Sequence, residues 1–182
     1  MKTLFFTSDT HFSHNKEFLY EPRGFSTIEE MNEQIVQNWN EIVQPSDTIY
    51  HLGDMALTDT TAAIPYIKRL NGHIIWILGN HDTTSKIEQI IAHCHNIQLV
   101  GALNTSYSTI IKDGKWRFYL SHYPVKFGNF DEIKEKKDWC LCGHMHTQDK
   151  FSDMKDKCYH VELDAHACYP ISLEEIKSDL KN

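Results

Sequence analysis

No apolar run in this chain approaches the roughly 20 residues that a bilayer span demands, so no membrane partner is expected. There is no CxxC pair, and the five cysteines are an odd number. That excludes a disulfide scaffold, speaks against a closed structural zinc site, and fits free thiols in a reducing compartment. Glycine and proline are scarce, at 8 and 5 of 182 residues, which rules out collagen and low-complexity disorder. Positive charge is short too. Eighteen Lys and Arg against 25 Asp and Glu leave a net charge of -7, a surface that repels phosphate backbones and argues against extended nucleic acid as a partner. The segment from Met1 to Asp9 turns polar too early for a signal peptide, so the expected location is the cytoplasm. What the chain has in abundance is histidine, 12 in all. With 41% hydrophobic and 12% aromatic residues, it can build one domain over residues 1–182 with a core large enough for an enzyme.

The pattern of elements is α/β. Lys2 to Thr7 is a short apolar run with a polar tip, as expected of a buried strand. Thr27-x-x-Glu30 is a capping box, and Ile28, Met31, Ile35, Trp39 and Ile42 follow at helical spacing. Thr48 to Leu52 predicts a second strand. Thr60 to Leu70 predicts a helix that Pro65 kinks or restarts, and Ile74 to Leu78 a third strand. A helix is expected from about Ser85 to His93. Beyond it Ser106 to Ile111 and Trp116 to Ser121 flank a hairpin turn, Trp139 to Cys142 and His160 to Leu163 read as strands, and Ser172-x-x-Glu175 opens a last helix.

Polar clusters sit at the ends of these strands: Asp9-Thr10-His11, Gly53-Asp54, Gly79-Asn80-His81-Asp82, Ser121-His122 and Gly143-His144-Met145-His146. In open α/β sheets ligands gather beyond the carboxyl ends of the strands. An extended segment points residues i and i+2 to one side, so Asp9 and His11 are expected to converge, as are His144 and His146. Mixed carboxylate and imidazole suit Mn, Fe or Zn, whereas an all-oxygen set suits Mg or Ca. One such cluster is an ordinary turn or cap. Turn chemistry does not demand histidine after strand upon strand, and the functional reading prevails.

In this order the motifs D-x-H, G-D, G-N-H-D, H and G-H-x-H resemble those of the calcineurin-like metallophosphoesterase superfamily. Arg23 to Met31, Tyr50 to Asp54 and Tyr169 to Glu175 resemble a small stand-alone bacterial and phage branch of it. The resemblance implies a four-layer αββα sandwich of two mixed β-sheets flanked by helices. It implies two divalent transition-metal ions, Mn first, with Fe, Zn or Ni as alternatives. Asp9, His11 and His146 would bind the first ion, Asn80, His122 and His144 the second, and Asp54 would bridge them. Two ions ~3.5–4 Å apart clamp the attacking and leaving oxygens of a phosphoester, with hydroxide held between them as nucleophile. His81 would serve the leaving group, and Asp82 would orient His81.

The implied function is hydrolysis of a phosphomono- or phosphodiester bond in a small nucleotide or phosphorylated metabolite. The alternatives are a nuclease acting on RNA or DNA ends and a non-catalytic scaffold of the same fold. His14 and Arg23 are candidate substrate contacts, Arg23 through its planar fork. His51 is expected to be packed rather than ligating, and Cys140 and Cys142 to be small buried hydrophobes. Lys134 to Lys137, followed by Asp138, reads as a solvated face of mixed charge.

Overall fold

The computed structural model describes residues 2–103, 105–125, 137–151 and 157–181. In the first sheet, β1 (Leu4–Thr7), β2 (Thr48–Leu52), β3 (His73–Ile77) and β4 (Ile97–Leu99) run parallel, and β9 (Ile171–Ser172) pairs antiparallel with β1. The second sheet is also mixed. Its β5 (Ser108–Asp113) and β6 (Trp116–Ser121) form the predicted hairpin, while β6, β7 (Lys137–Cys142) and β8 (Cys158–His160) are parallel.

Alternation along the strands decides which layer each side chain joins. Phe5, Ile49, Ile74 and Trp76 face α2 (Ile28–Ile42), α3 (Thr60–Ile67) and α4 (Thr84–His93) across one core. Phe6, Leu52 and Ile77 face the other way and meet Trp116, Phe118, Leu120, Leu141 and Tyr159 of the second sheet. Two mixed sheets thus pack face to face, with α2, α3 and α4 outside the first, in keeping with the expected α/β fold class. Thr27 caps α2 by accepting from Glu30 N at 3.1 Å, and Ser172 with Glu175 forms the capping box of α5 (Leu173–Asp179). Among the described residues no helix is long and apolar enough to cross a membrane.

Several boundaries differ from expectation. Pro65 lies inside α3, which runs through it and ends at Ile67. The strand expected over 160–163 stops at His160, and Leu163–His166 forms a 3-10 turn that buries Leu163. The short β4 and α1 (Glu17–Tyr20) carry too few residues for a periodic signal. Lys134 to Lys136 lie outside the described residues. Asp138 is no part of a solvated face: it is buried and forms a two-pronged ion pair with Arg117.

On β2, His51 is packed, as expected, and fully buried. Thr10 Oγ1 donates to the Met55 carbonyl at 2.8 Å, so it accepts from His51 Nε2 at 3.0 Å and leaves buried Nδ1 without a partner. Burial is the main cause that pushes the imidazole pKa down to about 3. Between roughly pH 6.5 and 3 the unfolded chain therefore holds a proton that the folded chain refuses, and stability falls as pH falls. His51→Gln is expected to flatten the acid-side slope of the metal-free protein by about 1.4 kcal/mol per pH unit, read from urea titrations. An unchanged slope would assign that sensitivity to other groups.

Candidate metal centre

The carboxyl ends of β1, β2 and β3 in one sheet and of β6, β7 and β8 in the other open toward the same place. The residues that follow them meet there. Backbone hydrogen bonds sew the loops together: Asp9 N donates to the Gly53 carbonyl, His11 N to the Asp54 carbonyl and Gly143 N to the His122 carbonyl. Convergence does not arise from extended backbone, as the i, i+2 argument expected. Asp9, His11, Asp54, His144 and His146 all have positive φ, between 48° and 74°. They are half of the ten non-glycine residues in that region among those described. Each costs on the order of 1–3 kcal/mol, a strain that clusters at functional sites.

Close approach explains the motif glycines. A Cβ on Gly79 would overlap the Asp54 carboxylate, and one on Gly143 would overlap Asp9 Oδ2 and Ser8 Oγ. The turns can carry side chains into the centre only because these two residues have none.

One half of the centre holds Asp9, His11 and His146, whose donor atoms lie within 4.8 Å of one another. His146 Nδ1 donates to Asp164 Oδ2 at 3.1 Å, which leaves its Nε2 as a bare lone pair. That lone pair faces His11 Nε2 at 3.1 Å and Asp9 Oδ1 at 3.7 Å. Asp9 Oδ1 is buried with no hydrogen-bond partner, while Oδ2 accepts from His144 N at 2.9 Å. Burial alone would raise the Asp9 pKa, but His11, His122 and His146 hold it well below the usual carboxylate range. For His146, burial works downward, and the Asp164 hydrogen bond with the Asp9 charge outweighs it.

The other half is built the same way. His122 Nδ1 donates to the Leu52 carbonyl at 2.9 Å. Its bare Nε2 therefore faces Asn80 Oδ1 at 2.9 Å, His144 Nδ1 at 3.2 Å and Asp54 Oδ2 at 3.5 Å. Asp54 Oδ2 lies between the halves, 3.9 Å from His11 Nε2. Acceptor atoms thus crowd together with too few protons among them. An orphaned buried carboxylate oxygen among clustered imidazole nitrogens and carboxylates fits positive ions. All the sequence-predicted ligand positions are brought together here.

The remaining site expectations fare differently. His81 lies at the rim with its side chain half exposed, its backbone N donating to Asp54 Oδ1 at 2.9 Å and its Nε2 4.0 Å from Asp54 Oδ2. Asp82 does not orient His81. Its Oδ2 accepts from the backbone N of Gly79 and Asp54 at 2.8 Å and its Oδ1 from Met55 N at 3.2 Å, a staple between two loops. Burial first, and Asp54 beside it, push the Asp82 pKa up to about 6 against those hydrogen bonds.

Arg23 is not placed to touch a substrate. Its buried guanidinium grips Asp164 through Nε at 2.9 Å and Nη2 at 2.7 Å, and also donates to the carbonyls of Asp9 and Thr10. Its fork is spent inside the protein. Asp164, which joins this arginine to His146, is the functional residue that sequence reasoning missed. The signal was present: Glu162-x-Asp164 follows β8 as Asp9-x-His11 follows β1. His14 does line the cavity beside the centre, about 450 Å³ in volume, with His11, Phe18, Leu57, His81 and His146.

The fold and this centre define the class. The calcineurin-like phosphoesterase superfamily domain matches residues 1–162, and the chain belongs to that superfamily. It is 30% identical over 184 residues to the uncharacterized protein MJ1445 of Methanocaldococcus jannaschii, a match covering 97% of this chain and 90% of that one. Gene 66 protein of Mycobacterium phage L5 is 34% identical over 86 residues, 45% of this chain and 41% of that one. Among solved structures, the protein of unknown function AQ665 from Aquifex aeolicus superposes with a TM-score of 0.73 at 26% identity, covering 98% of this chain and 99% of that one.

Asp164→Asn is expected to weaken divalent-metal binding about 10–100-fold, the usual effect of removing a carboxylate that holds a ligating histidine. Competition against a chromogenic chelator measures it. Affinity equal to that of the unmodified protein would show that Asp164 serves packing alone.

Proposed function

We propose that this protein is a metal-dependent phosphoric ester hydrolase acting on a small phosphorylated molecule. The observation that supports this reading best is the crowding of lone pairs from Asp9, His11, Asp54, Asn80, His122, His144 and His146 beside a cavity with a free histidine at its rim. Asp9, His11 and His146 would hold one divalent ion, Asn80, His122 and His144 the other, and Asp54 would serve both. Mn is the first choice for a mixed carboxylate, amide and imidazole set. When bound, the pair supplies water activation and neutralises charge on the phosphoryl oxygens.

The chain's own groups do the rest. Asp164 and Leu52 hold the protons of His146 and His122 on the far nitrogen, so that the near nitrogen stays free to ligate. His81 ligates nothing in this scheme, and its half-exposed ring faces the cavity, where it can donate a proton to the departing oxygen. His14 is held neutral because burial above all, then its histidine neighbours, push its pKa down to about 4. It therefore offers a phosphate a hydrogen bond rather than a charge. Phe18, Leu19, Pro22 and Leu57 give the cavity an apolar wall, suited to a base or another flat apolar moiety on the substrate. The net charge of -7 and the size of the cavity favour a small substrate over a long polyanion.

His81→Ala is expected to leave metal content intact and lower kcat by on the order of 10²-fold or more, the scale of general acid catalysis. The loss should shrink with nitrophenyl esters, whose leaving group departs without a proton. A loss independent of leaving group would reject the acid role, and loss of metal would reject the assignment of His81 altogether.

Asp54→Asn should harm turnover more than His11→Ala or His122→Ala, because one carboxylate serves both ions and each histidine serves one. Kinetics with metal occupancy measured alongside make the comparison. Equal losses would contradict the bridging role. A metal-loaded protein with no turnover on a panel of mono- and diesters would favour the scaffold reading.

A further inference from the structure

The outer face of the second sheet carries a second cluster of metal-binding residue types. Strand alternation places Cys140 and Cys142 on the same face of β7, opposite Trp139 and Leu141, which point into the core. The parallel register sets Cys158 of β8 beside Cys140, and His160 beside Cys142. The result is a square of three thiols and one imidazole on one face of two neighbouring strands. All four residues are buried. The three Sγ atoms lie within 4.8 Å of one another, and His160 Nδ1 is 3.8 Å from Cys142 Sγ. Around them are Ser121 Oγ at 3.9 Å from Cys140 Sγ, the Tyr159 carbonyl at 3.7 Å from Cys142 Sγ, and the Val125 carbonyl, which accepts from Cys158 Sγ at 3.4 Å.

We propose that Cys140, Cys142 and Cys158 form a separate thiolate site for one soft divalent cation, Zn²⁺, with the His160–Glu162 pair beside it. Sulfurs bound at ~2.3 Å to one tetrahedral zinc stand roughly 3.8 Å apart, which the observed spacing accommodates. The three thiols are soft ligands, unlike the carboxylates of the other centre, and the nearest carboxylate, buried Glu162, pairs with His160 Nδ1 at 3.3 Å. The cysteines are free thiols. Residues i and i+2 of a strand are about 6.6–6.8 Å apart, at the far limit of disulfide reach, and a bridge between the strand neighbours Cys140 and Cys158 would leave Cys142 over. Burial as plain hydrophobes accounts for a single cysteine. It does not account for the convergence of three of the chain's five cysteines on one point beside an imidazole.

The absence of CxxC spacing spoke against such a site because the third thiol comes from the adjacent strand, out of reach of any local motif. The site clamps β7 to β8 directly before Gly143, where β7 passes into His144 and His146. It stands independently of the phosphoesterase reading.

The test uses the full-length protein, reduced and freed of metal, titrated with Co²⁺. Binding at the thiolates is expected to give a sulfur-to-cobalt charge-transfer band in the near ultraviolet, bleached by Zn²⁺. The nitrogen and oxygen ligands of the other centre cannot produce it. Cys142→Ala combined with Cys158→Ser, which leaves one thiol of the three, should abolish the band, whereas Cys94→Ser and Cys168→Ser should keep it. Should the cluster variant fail to fold, thiol labelling of the unmodified protein decides. Zn²⁺ at ~10 times its Kd should slow labelling of Cys140, Cys142 and Cys158 about tenfold. The proposal is overturned by a folded protein that saturates with Co²⁺ without the band, by a band that survives both cluster substitutions, or by labelling that zinc leaves unchanged.

Discussion

The structure depends on an electrostatic debt at the carboxyl ends of its parallel strands. Carboxylate oxygens and imidazole nitrogens from both sheets are pressed together with too few protons between them, and Asp9 Oδ1 is buried with no partner at all. In water each of these groups would be solvated. Inside the protein that solvation is lost, and the partners that remain are one another. The left-handed backbone at Asp9, His11, Asp54, His144 and His146 adds strain to the same place. The fold off the metal therefore works against the centre, and the two cores on either side of the first sheet must hold it open.

How they do so is visible in the groups that touch no substrate. Asp82 accepts three backbone N–H bonds and so fastens the loop after β3 to the loop after β2. Asp164 fastens His146 to Arg23, and Arg23 in turn fastens the backbone of the loop after β1. Burial would push Asp164 upward, but the hydrogen bonds from His146 and Arg23 keep its pKa far below the ordinary carboxylate range, so this link stays charged. Glu162 does the same for the last loop by accepting from Thr147 N at 3.0 Å. Acidic side chains act here as cross-links between loops, and the ligands inherit their orientation from them.

Much of this was legible in the residues themselves. Helical spacing in α2, the capping boxes at Thr27 and Ser172 and the hairpin between β5 and β6 are local features, and local propensity decides them. The ligand types were legible because no turn needs a histidine, so histidines repeated after strand after strand signal chemistry. Roles that depend on a partner were not. Arg23 carries the signature of a phosphate contact, and Asp82 that of a histidine partner. Arg23 is spent instead on Asp164, 141 positions away in the chain, and Asp82 on the backbone of the loop at Asp54, 28 positions away.

By itself the sequence determined the longer elements, the superfamily and the identity of the residues that meet at the centre, since periodicity, capping and motif order are properties of neighbouring positions. Only the tertiary structure decided which hydrogen bonds Asp82, Arg23 and Asp164 make, and that the ligands turn inward through left-handed backbone rather than along extended strands. It alone set Cys158 beside Cys140 across two parallel strands. Sheet register and loop packing bring together residues far apart in the chain, and no local pattern encodes the distance between two side chains on different strands.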